Sequence, residues 1–515
     1  MKQYSLIISL FLILFIGTSP LHAQDVVPEN FDTWVEEGME KWDIPGLAIA
    51  IVKDGEIAYV KGFGVKKLGE EGLVDEHTQF GIASVSKHIT AMSIGLMVEQ
   101  DLIDWNDPVR EILPWFELSD PYATANVTIH DLLTHQVGIG RILGNRLQFM
   151  TDRSRYELLH RMRHHTFEEP FRSQYVYSNV MYTLAGEIAA AVSGRDWDNL
   201  VTSRFFERMD MSRTNSSIHD LDEANAAWPH QYINGEVVPI SRRNWDIAAP
   251  AGGVNSTAAD MAKWMLMQLN GGNYDGKRIL SSDVLNEIQT PKVSLSSADA
   301  NAPQNSYGYG YQITDFRGYR LLSHGGATDG MNTNYVLMPQ HNFGIIIMTN
   351  TFNTFMNAVG YHVIDHILGV NDRDWAQLYF EAYNRQYEST KELREQFELT
   401  RISDTSPTHV LQNYTGRYGN DLYDSAEVSL ENDKLTLTIF DDENLTAELE
   451  HWHHNTFRII WNNPAQREEF LQFHMDYEGK IDRLEIRFIL RPMMLQVGAY
   501  PANSFRDVVY ERIGY

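Results

Sequence analysis

Phe80-Gly81-Ile82-Ala83-Ser84-Val85-Ser86-Lys87 leads into an apolar run over residues 88–99, and the reading of this stretch decides that of the whole chain. If the run is helical, Ser84 and Lys87 lie three positions apart and share a face. A serine in the first turn of a helix also has unpaired backbone N–H groups beside it. The spacing gathers a hydroxyl, an amine and an oxyanion-binding amide around one carbonyl. Acyl transfer through a serine ester needs that set of groups.

Outward from this point, both ends of the first 370 residues carry strand patterns. Residues 30–42 form an amphipathic helical pattern, residues 47–53 a strand, Asp54-Gly55 a hairpin turn, and residues 56–61 the returning strand. Helical patterns dominate from Ser84 to about Asp210. Residues 320–323, 332–338 and 343–350 are again extended. The expected architecture is α+β: one antiparallel sheet built from both ends, flanked by helices, plus a helical lobe. Residues 371–405 then read as a helical connector. Beyond Ser406-Pro407, short alternating runs at 426–430, 435–440, 445–451, 457–461, 468–475 and 481–489 predict a small all-β, barrel-like domain. The expected division is 1–23, 24–370, 371–405 and 406–515.

The 515-residue chain carries a net charge of −27, which argues against nucleic acid and anionic membrane as partners. Lys2, an apolar run at 6–16 and Leu21-His22-Ala23 read as a cleaved secretory signal, so an exported, periplasmic or secreted protein without stable membrane insertion is expected. The chain has no cysteine, which excludes a thiol nucleophile and a thiolate metal site and leaves stability to the core alone.

Three further clusters bear on chemistry. Tyr177-Ser178-Asn179 precedes an apolar helical run, and in an extended segment Tyr177 and Asn179 point the same way. His324-Gly325-Gly326-Ala327 closes a strand, where paired glycines admit close backbone approach and an edge strand binds a peptide by strand addition. Leu132-Leu133-Thr134-His135-Gln136-Val137-Gly138 is a helix running into a glycine stop.

Together these motifs resemble serine β-lactamases and penicillin-binding proteins, nearest the class C and D-aminopeptidase-like (CubicO-type) branch, over about residues 30–365. Ser84-Val85-Ser86-Lys87 corresponds to the first motif, Tyr177-Ser178-Asn179 to the second, and His324-Gly325-Gly326 stands where the third is usually Lys-Thr-Gly. Pro250-Ala251-Gly252-Gly253 resembles a further landmark. The resemblance implies Ser84 as nucleophile and a neutral Lys87 that takes or relays its proton. It makes Tyr177 the proton shuttle to the leaving group, and gives Asn179, His324, Gly325, Gly326 and Ala327 to substrate binding. The Ser84 and Ala327 N–H groups would form the oxyanion hole, and no metal or organic cofactor is called for. His324 replaces a permanent cation with a conditional one, so feeble β-lactam turnover is expected. Residues 406–515 resemble a β domain that often follows such hydrolases, opening at Asn413-Tyr414-Thr415-Gly416.

The implied activity is hydrolysis of an amide or ester of a small molecule or short peptide. A carboxylesterase on the same scaffold and a non-catalytic peptide or cell-wall receptor are the alternatives; oligomeric state is left open. His160 and His164, and His451 with His453 and His454, lack the companion ligands of a metal site.

Overall fold

The computed structural model describes residues 26–140, 153–233, 235–295, 305–463, 469–488 and 508–513. The leader reading for residues 1–23 lies outside them. The apolar run at 47–52 is explained by parity. In the strand Gly46–Lys53, Leu47, Ile49 and Ile51 enter one hydrophobic cluster while Ala48, Ala50 and Val52 enter another. Its neighbour Phe343–Thr349 splits likewise, Ile345 and Ile347 from Ile346 and Met348. Successive side chains point to opposite faces, so a sheet covered on both sides is apolar throughout. One cover is the helix pair Phe31–Lys41 and Phe355–Ile367, the other Ser86–Glu99 and Ala258–Leu269.

The eight strands run in the order Glu56–Gly64, Gly46–Lys53, Phe343–Thr349, Met331–Met338, Tyr319–Thr328, Gln312–Phe316, Asn305–Tyr307 and Val293–Ser294, and each neighbouring pair is antiparallel. The N-terminal hairpin therefore sits beside the last strand, as the pattern predicts. One expectation is corrected. The strand carrying His324 is not an edge strand, since it lies between Met331–Met338 and Gln312–Phe316. Its pairing with the latter ends at Ser323, opposite Gln312. The strand runs on past that pairing from Gly325 to Thr328. The neighbouring chain leaves the sheet there at Gly310, held at φ 83°, where a Cβ would lie 3.0 Å from the Lys87 carbonyl oxygen.

The helix Ser86–Glu99 is buried from Ser86 to Met97, the state of a helix apolar all round. Its hydroxyls are satisfied internally: Thr90 donates to Pro250 O at 2.6 Å and Ser93 to Thr90 O at 2.7 Å. Beyond the sheet domain, Trp375–Glu398 buries only Trp375, whose indole N–H donates to Asp365 at 2.7 Å. The C-terminal strands close into an eight-stranded barrel. Two of them, Gly416–Asn420 and Val508–Arg512, escape the sequence pattern, and they pair with each other to seal the barrel. The barrel turn then meets the helical lobe. Leu422 and Tyr423 are buried in the same cluster as that lobe, and Asp424 pairs with Arg153 and Arg161, each at 3.1 Å. No helix among the described residues is long and apolar enough to cross a membrane.

Candidate active site

Ser84 lies in a single 3-10 turn, Ala83–Val85, that runs directly into the helix Ser86–Glu99. The turn is tight enough to hold Ala83 at φ 50°, a left-handed conformation that is unfavourable for a residue with a side chain. Ser86 braces it, donating to Ala83 O at 2.6 Å and accepting from the Val254 N–H at 3.1 Å. Ser84 is thereby left half-buried at the end of a rigid helix, with Lys87 fully buried one turn on.

The Lys87 nitrogen stands 3.2 Å from Ser84 Oγ, 2.6 Å from Asn179 Oδ1 and 2.7 Å from Ala251 O. The last two are acceptors only, so they take two N–H groups and turn the third position of the nitrogen toward the serine. The Tyr177 hydroxyl stands 2.8 Å from the same Ser84 Oγ, and the Tyr177 ring centroid is 4.8 Å from Lys87 Nζ. Hydroxyl, amine and phenol thus meet at one oxygen.

Asn179 arrives differently from the expectation. It is not in an extended segment but is the first residue of the helix Asn179–Ser193, with Ser178 at the N-cap. Its side chain is 8% exposed and turned onto Lys87, so the structure places it as an anchor of the amine. His324 also departs. It is 7% exposed, with Nδ1 2.7 Å from Gly325 O and Nε2 3.0 Å from the Tyr307 hydroxyl. The carbonyl can only accept, so Nδ1 carries a proton, and Nε2 meets the Tyr307 hydroxyl. Burial pushes the Tyr307 phenol well above its ordinary value, with the nearby tyrosines adding to the effect, and keeps it a donor. Both ring nitrogens therefore face protein oxygens. Gly326 is required by packing: a Cβ there would fall 2.3 Å from Ile82 O. The strand lies directly against the chain leading to Ser84, with Gly325 exposed and Ala327 half-buried beside it.

Two positions gain roles that sequence reasoning did not assign. Ala251, noted only as part of a landmark, supplies the carbonyl that fixes Lys87. His135, met in the sequence only within a helix running into a glycine stop, organises the tyrosine segment. Its carbonyl accepts from the Val176 N–H at 2.7 Å, its Nδ1 accepts from the Ser178 N–H at 3.1 Å, and its ring packs 4.4 Å from that of Tyr177. The φ of 59° that points it inward has no sequence signature beyond the following glycine stop. Beneath the site His88 stacks on Tyr311 at 3.9 Å. Burial, reinforced by His324 and Lys87, holds its imidazole well below the ordinary value and hence neutral. No group of three or more potential metal ligands occurs among the described residues.

Sheet, buried central helix and serine-centred cluster define a serine β-lactamase/transpeptidase-type protein. Residues 31–368 match the beta-lactamase family, and the chain belongs to it; residues 400–498 match a domain of unknown function, DUF3471. The unguisins hydrolase ungD' of Aspergillus campestris is 26% identical over 78% of this chain and 77% of its own. Protein flp of Staphylococcus aureus is 24% identical over 66% of each. The octameric penicillin-binding protein homologue from Pyrococcus abyssi shares the fold, with a TM-score of 0.60 at 20% identity over 89% of this chain and 97% of that one.

Proposed function

We propose that the protein is an exported serine hydrolase that cleaves an amide or ester bond, in a short or cell-wall-type peptide, through an acyl-Ser84 intermediate. The observation that carries this reading is the convergence of the Tyr177 hydroxyl and the Lys87 amine on Ser84 Oγ, at 2.8 and 3.2 Å. Ser84 Oγ attacks the carbonyl carbon while its proton passes to Lys87, whose other hydrogens are held by Asn179 and Ala251. The carbonyl oxygen becomes an oxyanion facing the N–H groups of Ser84 and Ala327, which lie on adjacent segments. The bond to the leaving nitrogen or oxygen then breaks as that atom receives a proton through Tyr177. Water, deprotonated by the same pair, releases the acid and restores the serine. The hydrolase named among the relatives supports hydrolysis as the outcome, and the stretch Gly325–Thr328, which runs on past the pairing with Gln312–Phe316, supports an extended peptide.

An esterase is the second reading. His324 keeps its ring nitrogens on protein partners, and an ester, unlike a penicillin, needs no carboxylate clamp. Labelling with a fluorophosphonate tests the common step: the wild type is expected to label and Ser84→Ala to remain unlabelled. A wild type that resists labelling defeats the proposal. Parallel turnover of p-nitrophenyl esters and D-amino-acid anilides separates esterase from peptidase, and rapid nitrocefin hydrolysis would contradict the expected weakness toward β-lactams.

A further inference from the structure

Behind the sheet, on the face turned away from Ser84, lies a cavity of about 400 Å3. Trp34 of the helix Phe31–Lys41 and His362 of the helix Phe355–Ile367 line it, together with residues 371–375, the joint that leads into the helix Trp375–Glu398. Small-ligand sites span about 300–1,000 Å3. The sheet separates this cavity from the serine, so its occupancy is independent of chemistry at Ser84 and does not rest on the hydrolase reading.

Two opposite charges on its wall leave each other unpaired. The Arg373 guanidinium lies 5.4 Å from the Trp375 ring centroid and makes no hydrogen bond or ion pair among the described residues. Its neighbour Asp374 caps the helix, accepting from the Gln377 N–H at 2.9 Å, and no basic side chain among the described residues lies within ion-pair distance of it. Asp372 is already held by Arg317, at 2.6 Å. His362 adds no charge near neutral pH, because burial first, and then His366, lowers its imidazole from the ordinary value. Asn371 adds an exposed amide with no partner among the described residues.

These walls decide the class of ligand. A simple anion drawn to Arg373 would face Asp372 and Asp374, and a simple cation drawn to Asp374 would face Arg373. No open aromatic face is offered to a sugar ring. Trp375 is 5% exposed and stacked on Tyr361 at 4.7 Å, and Trp34 is stacked by His362 at 4.3 Å. A molecule with an ammonium and a carboxylate a few bonds apart satisfies both charges at once, and a carboxylate matches the fork of a guanidinium. The half-buried Trp34–His362 pair is then a wall for an apolar side chain.

We propose that this cavity binds a free α-amino acid as its zwitterion, with the carboxylate on Arg373 and the ammonium on Asp374.

The test removes one charge at a time from the ligand and from the wall. Calorimetry is run on the full-length protein carrying Ser84→Ala, so that no turnover contributes heat. The probes are leucine, as each enantiomer, and its singly charged analogues 4-methylpentanoate and 3-methylbutylamine. At least one enantiomer of leucine is expected to bind about tenfold or more tightly than either analogue. Arg373→Met should remove about tenfold or more of that affinity. Asp374→Asn keeps a capping side chain; it should weaken leucine as well and leave 4-methylpentanoate unweakened. With Ser84 intact, neither substitution should change ester turnover. Leucine that binds no tighter than its analogues, or not at all up to about 10 mM, overturns the proposal. So does binding that both substitutions leave intact, which is the result expected if leucine sits at the serine instead. Circular dichroism melts confirm that each variant is folded, and Asp374→Asn supplies the answer if Arg373→Met is not.

Discussion

The Tyr177 hydroxyl lies 2.8 Å from Ser84 Oγ while the Tyr177 ring packs 4.4 Å from that of His135. The phenol is therefore aimed by a buried histidine that never reaches the serine. Tyr177→Phe keeps the ring and removes only the oxygen. Its kcat is expected to fall about 100- to 10,000-fold, the usual range for a lost proton-transfer group, with KM little changed. Steady-state kinetics on an activated ester checks this. An effect confined to KM would assign Tyr177 to binding.

Asn179→Leu tests the amine's anchor. The substitution removes the acceptor 2.6 Å from Lys87 Nζ at nearly constant volume. A buried donor left unsatisfied costs about 1–3 kcal/mol, so the melting temperature should drop, and the amine should lose its aim at Ser84. Asn179→Asp restores an acceptor and should recover part of the activity. A Leu variant as active as wild type would mean that Ala251 alone positions Lys87.

Ala83→Gly is expected to separate stability from activity. Ala83 sits at φ 50°, where an alanine is disfavoured by about 1 kcal/mol relative to glycine. The variant should be equally or more stable in denaturant, yet slower, because the turn that holds Ser84 loosens. A loss of stability of that size would show that the turn is not strained.

Acid should destabilise the fold through its buried histidines. His88, His130, His230 and His362 are each held below the ordinary imidazole value, in every case first by burial. The unfolded chain binds protons near pH 6.5 that the folded chain does not. Stability therefore rises with pH through that region and is lost below it, by up to about 1.4 kcal/mol per pH unit for the fully buried His88 and by less for the other three. Thermal melts from pH 7.5 to 5 should fall steadily, and less steeply in His88→Phe. A flat profile would contradict the neutral assignment.

Asp424 is an electrostatic hold of the barrel on the helical lobe. Its side chain is 25% exposed, those of Arg153 and Arg161 30% and 25%, between the surface and buried limits. Asp424→Ala should weaken docking by about 1–2 kcal/mol and expose the connector, in which Leu399 is already 84% exposed. Faster limited proteolysis near residues 399–410 would register it. If the barrel also narrows the entrance, deleting residues 406–515 should widen the substrate range; a folded truncation with unchanged kinetics would refute that role.

The inner sheet was legible because the strands Gly46–Lys53 and Phe343–Thr349 are apolar on both faces and the hairpin carries Asp54-Gly55, whereas the short strands Val293–Ser294, Asn305–Tyr307 and Gln312–Phe316 were not read from the sequence. The nucleophile–amine pair was legible because three residues along a helix is a fixed distance. The strands Gly416–Asn420 and Val508–Arg512 were not, since each is five residues long and becomes a strand only on meeting the other across the closed barrel. The partners of His324 were not legible either, because Tyr307 reaches its ring from another strand.

Local spacing by itself determined that Ser84 and Lys87 would share a face, and strand patterning that both ends of the first 370 residues would join one sheet. Those relations are set by backbone geometry over a few residues. Only the tertiary structure decided that Asn179 anchors the amine, that His135 aims the phenol and that His324 turns inward onto Tyr307. Each of those contacts spans segments far apart in the chain, and packing alone fixes which polar atoms meet once water is excluded.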